Sequence, residues 1–160
     1  MDITYLGHSS FKIRGKHATV AIEEDMLTVS REGSQYSIKG PGEYEVGGVG
    51  IVGHATDKNT IYRLEIDGVA IVHLGGLDRT LTAAEVDELD GVDILMIPID
   101  GAQAVAVINE IEPSIVIPMQ YEKSQLDAFL KEIGKEAIPQ AKLTITKDKM
   151  PEVMQIIVLE

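Results

Sequence analysis

Imidazole and carboxylate groups at short, fixed spacing are what a hydrolytic or metal-binding sequence offers first, and this chain offers few of them. Its histidines are His8, His17, His54 and His73, and no two form a His-x-His or His-Glu-x-x-His pair. Near neighbours in sequence are fixed relative to one another at little ordering cost, so such pairs commonly supply two ligands of a metal site built on strands and loops. His8 lies in Gly7-His8-Ser9-Ser10-Phe11, beside two serines, but no Gly-x-Ser-x-Gly elbow presents a nucleophile. His8 and His73, each close to a glycine at a strand end, read as structural residues that hydrogen-bond nearby backbone and hold the sheet ends together. His54, just past the apolar run at 49–52, is the histidine expected to face an open cleft. His17, beside Lys16 in a hairpin turn, reads as solvated. Among the carboxylates, Asp78 and Asp100 carry the most weight, because each follows an apolar strand with glycine close by, where clefts form in α/β sheets. Glu23-Glu24-Asp25 reads as a solvated turn. The chain has no cysteine, which excludes disulfides, thiolate metal ligands and a thiol nucleophile.

Composition narrows the field further. The 160 residues, 44% of them hydrophobic, are expected to form one globular domain spanning 1–160. A formal net charge of −12, with five Tyr, two Phe and no Trp, repels phosphate backbones and anionic lipid and offers little for stacking on bases, so neither nucleic acid nor membrane is an expected partner. No apolar run is long enough for a membrane helix, and Met1-Asp2-Ile3-Thr4 lacks the basic start and apolar core of a signal peptide. A cytoplasmic protein is expected.

The elements that must position these groups change character along the chain. Short strands with alternating or β-branched residues are predicted at 3–6, 10–14, 18–22, 26–29 and 35–38, with breaks at Gly7, Gly15, Gly33 and Gly40. The glycine-rich passage 40–51 reads as a structural corner leading into a strand, since no helix pattern or Gly-Lys-Ser/Thr makes it a phosphate cradle. Strands at 60–66 and 69–74 flank Asp67-Gly68, a hairpin signal. Thr82 and Glu85 then form a Thr-x-x-Glu capping box for a short helix. Apolar runs at 93–99 and 114–118 read as strands buried on both faces, alternating with helices at 102–111 and 124–133, the latter stopped by Gly134. Closing strands are predicted at 142–146 and 153–159. Strands first and strand-helix alternation afterwards imply face-to-face sheets with helices outside, an α/β sandwich.

Five segments, in order, carry a family resemblance: Thr4-Tyr5-Leu6-Gly7-His8-Ser9-Ser10-Phe11, Gly40-Pro41-Gly42-Glu43-Tyr44, Asn59-Thr60-Ile61-Tyr62, His73-Leu74-Gly75-Gly76-Leu77 and Ile115-Val116-Ile117-Pro118-Met119-Gln120-Tyr121. Together they resemble the metallo-β-lactamase superfamily, in the branch of small metal-dependent hydrolases similar to L-ascorbate-6-phosphate lactonase. The resemblance implies a four-layer αββα sandwich, here shortened. It also implies a zinc site, which these residues do not supply. Aligned without a gap, the family's His-x-His-x-Asp-His cluster falls on Arg31, Gly33, Gln35 and Tyr36. The metal-bridging aspartate of its His-Leu-Gly-Asp is Gly76, the last histidine of its Pro-Met-His-Tyr is Gln120, and His54 is the one counterpart for its middle histidine. Zinc activates water when about three side chains hold it and leave one position open. No zinc or other cofactor is therefore expected, and no catalytic residue or metal ligand is assigned.

The leading expectation is a non-catalytic metallo-β-lactamase-fold protein acting in binding or assembly, with an unidentified small molecule or protein as partner. Its candidate cleft comprises Arg31, Tyr36, His54, Asp78, Asp100 and Gln120. The alternative is a hydrolase of phosphoesters or lactones with an unorthodox site near His54, Asp78, Asp100 and Gln120, or with Arg31 and His54 holding an anionic substrate. A shortened sandwich is also expected to expose apolar surface that a homo-oligomer would bury.

Overall fold

In a computed structural model, which describes residues 1–101 and 103–160, the chain opens as a meander of five strands: β1 (Asp2–Gly7), β2 (Ser10–Arg14), β3 (Thr19–Glu23), β4 (Met26–Arg31) and β5 (Ser34–Lys39). Each pairs antiparallel with the next. Strand period places Phe11 and Ile13, Val20 and Ile22, and Leu27 and Val29 on one face, where all six are fully buried. The opposite face carries Thr4, Lys12, Ala21, Thr28 and Ser37 in one cross-strand row, and Asp2, Arg14, Thr19, Ser30 and Gln35 in the next.

The second sheet follows: β6 (Gly42–Val46), β7 (Val49–Ala55), β8 (Thr60–Ile66) and β9 (Val69–His73) continue as an antiparallel meander. Asp67 and Gly68, at φ 53° and 77°, make the two-residue turn between β8 and β9 with Ile66 opposite Val69, as the Asp-Gly signal predicts. The chain then crosses over repeatedly through α1 (Ala83–Glu88), β10 (Ile94–Pro98), α2 (Ala104–Ile111), β11 (Ile115–Met119), α3 (Lys123–Ile133), β12 (Ala137–Gln140), β13 (Leu143–Thr144) and β14 (Gln155–Leu159). β9, β10, β11, β14 and β12 are parallel neighbours, so the second sheet is mixed, in the order β12-β14-β11-β10-β9-β8-β7-β6; β13 joins the first sheet beside β1. The predicted capping box at Thr82 and Glu85 is formed in both directions, and Gly134 caps α3 in the left-handed conformation.

Two apolar clusters hold these layers. One lies between the sheets, from Ile3, Phe11 and Val29 to Ile71, Ile94 and Ile117; the other joins the far face of the second sheet, through Val72, Leu95, Ile97 and Val116, to Val107, Ile108 and Phe129 of the helices. Each fully buried aliphatic side chain contributes about 1.5–3 kcal/mol. The expected α/β sandwich is present in shortened form: among the described residues all three α-helices belong to the second cluster, and the outer face of the first sheet is uncovered. That face is built of small and polar residues and needs no helix. Among the described residues the exposed large apolar side chains, Leu6, Tyr36, Ile138 and Val153, come from separate elements rather than from one patch.

Several boundaries move. The passage at 40–51 is a hairpin of β6 and β7 rather than a corner before one strand, because Gly47 and Gly48 take positive φ and turn the chain back. β12 carries no strand pattern and forms by parallel pairing with β14. Ala102, where the sequence reading begins a helix, lies outside the described residues; α2 starts at Ala104.

Candidate functional site

The carboxyl ends of β9 and β11 open onto the β1–β2 turn of the first sheet, and backbone geometry ties the two sheets together there. His8 (φ 53°) presents its carbonyl to the Gln120 N–H at 3.1 Å and to the Tyr5 hydroxyl at 3.1 Å. Its carbonyl, not its ring, makes these ties. His73, fully buried at the end of β9, spans the same gap: its Nε2–H donates to the Ser9 carbonyl at 2.8 Å, and its Nδ1 accepts the Gly75 N–H at 3.2 Å. Because a backbone donor occupies Nδ1, the ring is held in the Nε2–H tautomer. Burial disfavours the charged ring and pushes its pKa down to about 4. His73 is a neutral strut.

Around this strut lies a hollow of about 470 Å³ lined by His8, Lys39, Lys58, Asn59, Gly76 and Gln120, among others. Thr56 organises its rim: the Thr56 hydroxyl donates to Asn59 and accepts the Asn59 N–H, closing a tight turn. Asn59 Nδ2 in turn donates to the Leu74 carbonyl at 2.9 Å. Gly75, at φ 59°, suits this place, since a Cβ there would press on the Asn59 side-chain amide that holds the Leu74 carbonyl. At Gly76 an added Cβ would meet nothing within 4 Å, so the floor of the hollow is open. Gln120 sits at φ 53° with its amide turned to the Gly75 carbonyl at 3.4 Å.

Two ammonium groups reach this hollow. Lys58 pairs with Asp78, which raises the lysine pKa and lowers that of the carboxylate. Lys39, at the end of β5, lies 3.9 Å from Asp25. A zinc ion does not fit this donor set: His8, Glu24 and Asp25 share the lining with Lys39, Lys58, Gly76 and Gln120, but among the described residues no three His, Cys, Asp or Glu side chains converge to hold a metal. Binding a polar or anionic molecule is within its chemistry; activating water on a metal is not.

The cleft residues expected from sequence separate. Gln120 lines the hollow, and Asp78 borders it through Lys58. Arg31 does not: it ends β4 at the turn into β5, near His17 and Gly33, while Asp25 and Lys39 mark the cleft end of the same strands. A strand of six residues spans about 20 Å, so the ungapped register puts Arg31 and Tyr36 toward the wrong end. Tyr36 is a half-exposed residue of the edge strand β5. Asp100 is exposed after β10.

His54 also misses the hollow. β7 continues through it rather than ending before it, and strand alternation turns its ring to the helix side, with Nδ1 2.9 Å from the Glu88 carboxylate. Its Nε2 is buried without a partner among the described residues. Lys39 and Lys58, which sequence reading missed, carried no signal beyond lying next to a turn. Asn59 stood in a family motif without a role attached.

Comparison with known proteins agrees with this architecture. Residues 25–120 match the family described as "Beta-lactamase superfamily domain". A crystal structure from Thermotoga maritima, provisionally named a Zn-dependent hydrolase of the metallo-β-lactamase superfamily, superposes with a TM-score of 0.81 at 26% sequence identity, covering 100% of this chain and 99% of that one. No curated protein matches the chain. No helix among the described residues is long and apolar enough to cross a membrane.

Proposed function

We propose that this chain, which belongs to the β-lactamase superfamily domain family, is a non-catalytic relative of the metallo-β-lactamase hydrolases that serves in binding or assembly. The reading takes residues 1–160 as one domain working in the cytoplasm, from the branch similar to L-ascorbate-6-phosphate lactonase, with its metal ligands lost. One observation carries it: Lys39 and Lys58 stand in the hollow that Gly76 and Gln120 line. A dication there would meet two ammonium groups, and the His8, Glu24 and Asp25 of the lining do not converge as a ligand set among the described residues. Zinc hydrolysis needs about three ligand side chains and an open position, whereas Lys39, Lys58, Asn59 and Gln120 are suited to hydrogen-bonding a polar ligand without transforming it. Fold similarity by itself does not carry activity.

Metal analysis tests the reading. Protein expressed with added zinc, manganese and iron and then dialysed is expected to retain far less than one equivalent of any of them, and to leave phosphodiester, lactone and β-lactam substrates unhydrolysed. A stoichiometric metal content, or turnover that rises with added metal, overturns it.

A further inference from the structure

The edge strand of an open sheet presents a row of unpaired backbone donors and acceptors that another chain can join. Here the edges are β13 and β5 in the first sheet and β12 and β6 in the second. Shortness, proline and charge protect three of them. β13 is two residues long, β12 has Pro139 in a strand of four, and β6 sets Glu43 and Glu45 on either side of Tyr44. β5 carries no such device. Ser34, Gln35, Tyr36, Ser37 and Ile38 are uncharged and include no proline, and the strand pairs with β4 in an unbroken register from Ser34 to Lys39. Ser34, Gln35, Tyr36 and Ser37 are all exposed, so nothing among the described residues covers this edge.

The β4–β5 hairpin sets which backbone groups of β5 point outward. Glu32 and Gly33, at φ 50° and 81°, make a two-residue turn with Arg31 opposite Ser34, and such a turn closes on a hydrogen-bonded pair. Hydrogen-bonded and non-hydrogen-bonded pairs then alternate along the ladder. Ser34, Tyr36 and Ile38 therefore direct their backbone groups to Arg31, Val29 and Leu27, while Gln35, Ser37 and Lys39 direct theirs away from the sheet. Side chains alternate as well: Tyr36 lies on the same face as the buried Ile38, and Gln35 and Ser37 lie on the outer face.

We infer that β5 is a self-association edge, through which a second copy of this chain pairs antiparallel on a two-fold axis at Tyr36, joining the two first sheets into one. A two-fold axis through an antiparallel seam sets one residue opposite its own copy, because side chains directly opposite share a face. Tyr36 suits that place. Its outward pairing is of the non-hydrogen-bonded kind, in which side chains stand closest, so the two half-exposed rings bury each other. Gln35 then faces Ser37 of the second copy, and their outward N–H and C=O groups exchange about four hydrogen bonds across the axis. Lys39 comes opposite Gly33 and beside Glu32 of the second copy, a cation to a carboxylate in both directions. Glu32 is otherwise held by Arg31 at a loose 3.7 Å. An axis at Ser37 would set Lys39 opposite Gln35 and away from Glu32. In a chain of net charge −12, copies repel over most of their surface, and this uncharged strand with its two opposite end charges is self-complementary. The second sheet does not join in the same way: Tyr44 packs inward against the core, so Glu43 and Glu45 project from the other face of β6 and guard that edge. The pairing does not rest on whether the hollow at Gly76 and Gln120 holds a metal.

Sedimentation equilibrium of the full chain, from the low micromolar to the millimolar range, tests this and is expected to show a monomer–dimer equilibrium. Tyr36→Lys, at an exposed position, sets two ammonium groups against each other at the axis and should weaken association about tenfold or more, with the circular dichroism unchanged. The chain has no cysteine, so single-cysteine variants read the register directly. Opposed Cα atoms in a non-hydrogen-bonded pair lie about 4.5 Å apart, within disulfide reach, whereas the two copies of residue 34 would stand roughly 14 Å apart. In a glutathione buffer Tyr36→Cys should form a disulfide-linked dimer and Ser34→Cys should not. A monomer throughout the concentration range, equal cross-linking of the two cysteine variants, or undiminished association of Tyr36→Lys would each overturn the pairing.

Discussion

At the amino ends of β9, β10 and β11, Asp93 is saturated with partners; at their carboxyl ends, Gln120 and Gly76 leave a hollow open. Asp93 accepts the Ala70 N–H at 2.8 Å and the Lys147 ammonium at 2.7 Å on each oxygen, and its carbonyl accepts the Ser114 and Ile115 N–H groups. It thereby staples the starts of three parallel strands to the loop before β14. The opposite end is held by neutral contacts: the His73 ring, the His8 carbonyl and one long bond from the Gln120 amide. In open α/β sheets ligands gather at the carboxyl ends of the strands, and here the charge-stapled end is the one that needs no access. The charged ties are concentrated at the end away from the hollow.

Acid should separate the ends most strongly. His73 has a folded pKa of about 4 against 6.5 for the free ring, so between these values the unfolded chain takes up a proton that the folded chain refuses. Stability is unaffected above pH 6.5, falls as pH drops from 6.5 to 4, and is lowered by about 3 kcal/mol in total. Urea unfolding of the wild type and of His73→Gln from pH 8 to pH 4 should show this window as a difference between the two proteins, and parallel curves would refute the buried neutral ring. Next in size, Asp93→Ala should destabilise by about 2 kcal/mol at neutral pH, chiefly by orphaning the Ala70 N–H. Gln120→Ala should cost clearly less in the same measurement, and equal losses would erase the contrast between the ends. Smallest, Lys39→Ala and Lys58→Ala should leave the thermal midpoint unchanged, because both ammonium groups sit in solvent-screened pairs; a large drop in either would make them structural.

How much was legible depended on how local each determinant is. The β2, β8 and β9 strands, the Asp67-Gly68 turn, the Thr82–Glu85 box and the Gly134 stop each follow from a few adjacent residues, and each stands as read or within a residue. β12 was missed because its strand character comes from β14, a partner some twenty residues away. Arg31 was misplaced for a related reason: an ungapped register cannot tell which end of a strand a residue reaches. His54 was assigned to an open cleft from its place after an apolar run, but the strand continues through it, and one further residue of pairing turns the ring to the other face.

The sequence by itself determined the sandwich, since alternating and continuous apolar runs dictate which faces must be buried, and it determined that neither histidine nor carboxylate stands at Gly76 or Gln120, since no folding can create one there. Only the tertiary structure decided which polar groups share a hollow. Lys39 and Lys58 come together with Gln120 through pairings between segments far apart in the chain. Such pairings are set by the burial of the whole core rather than by any local pattern.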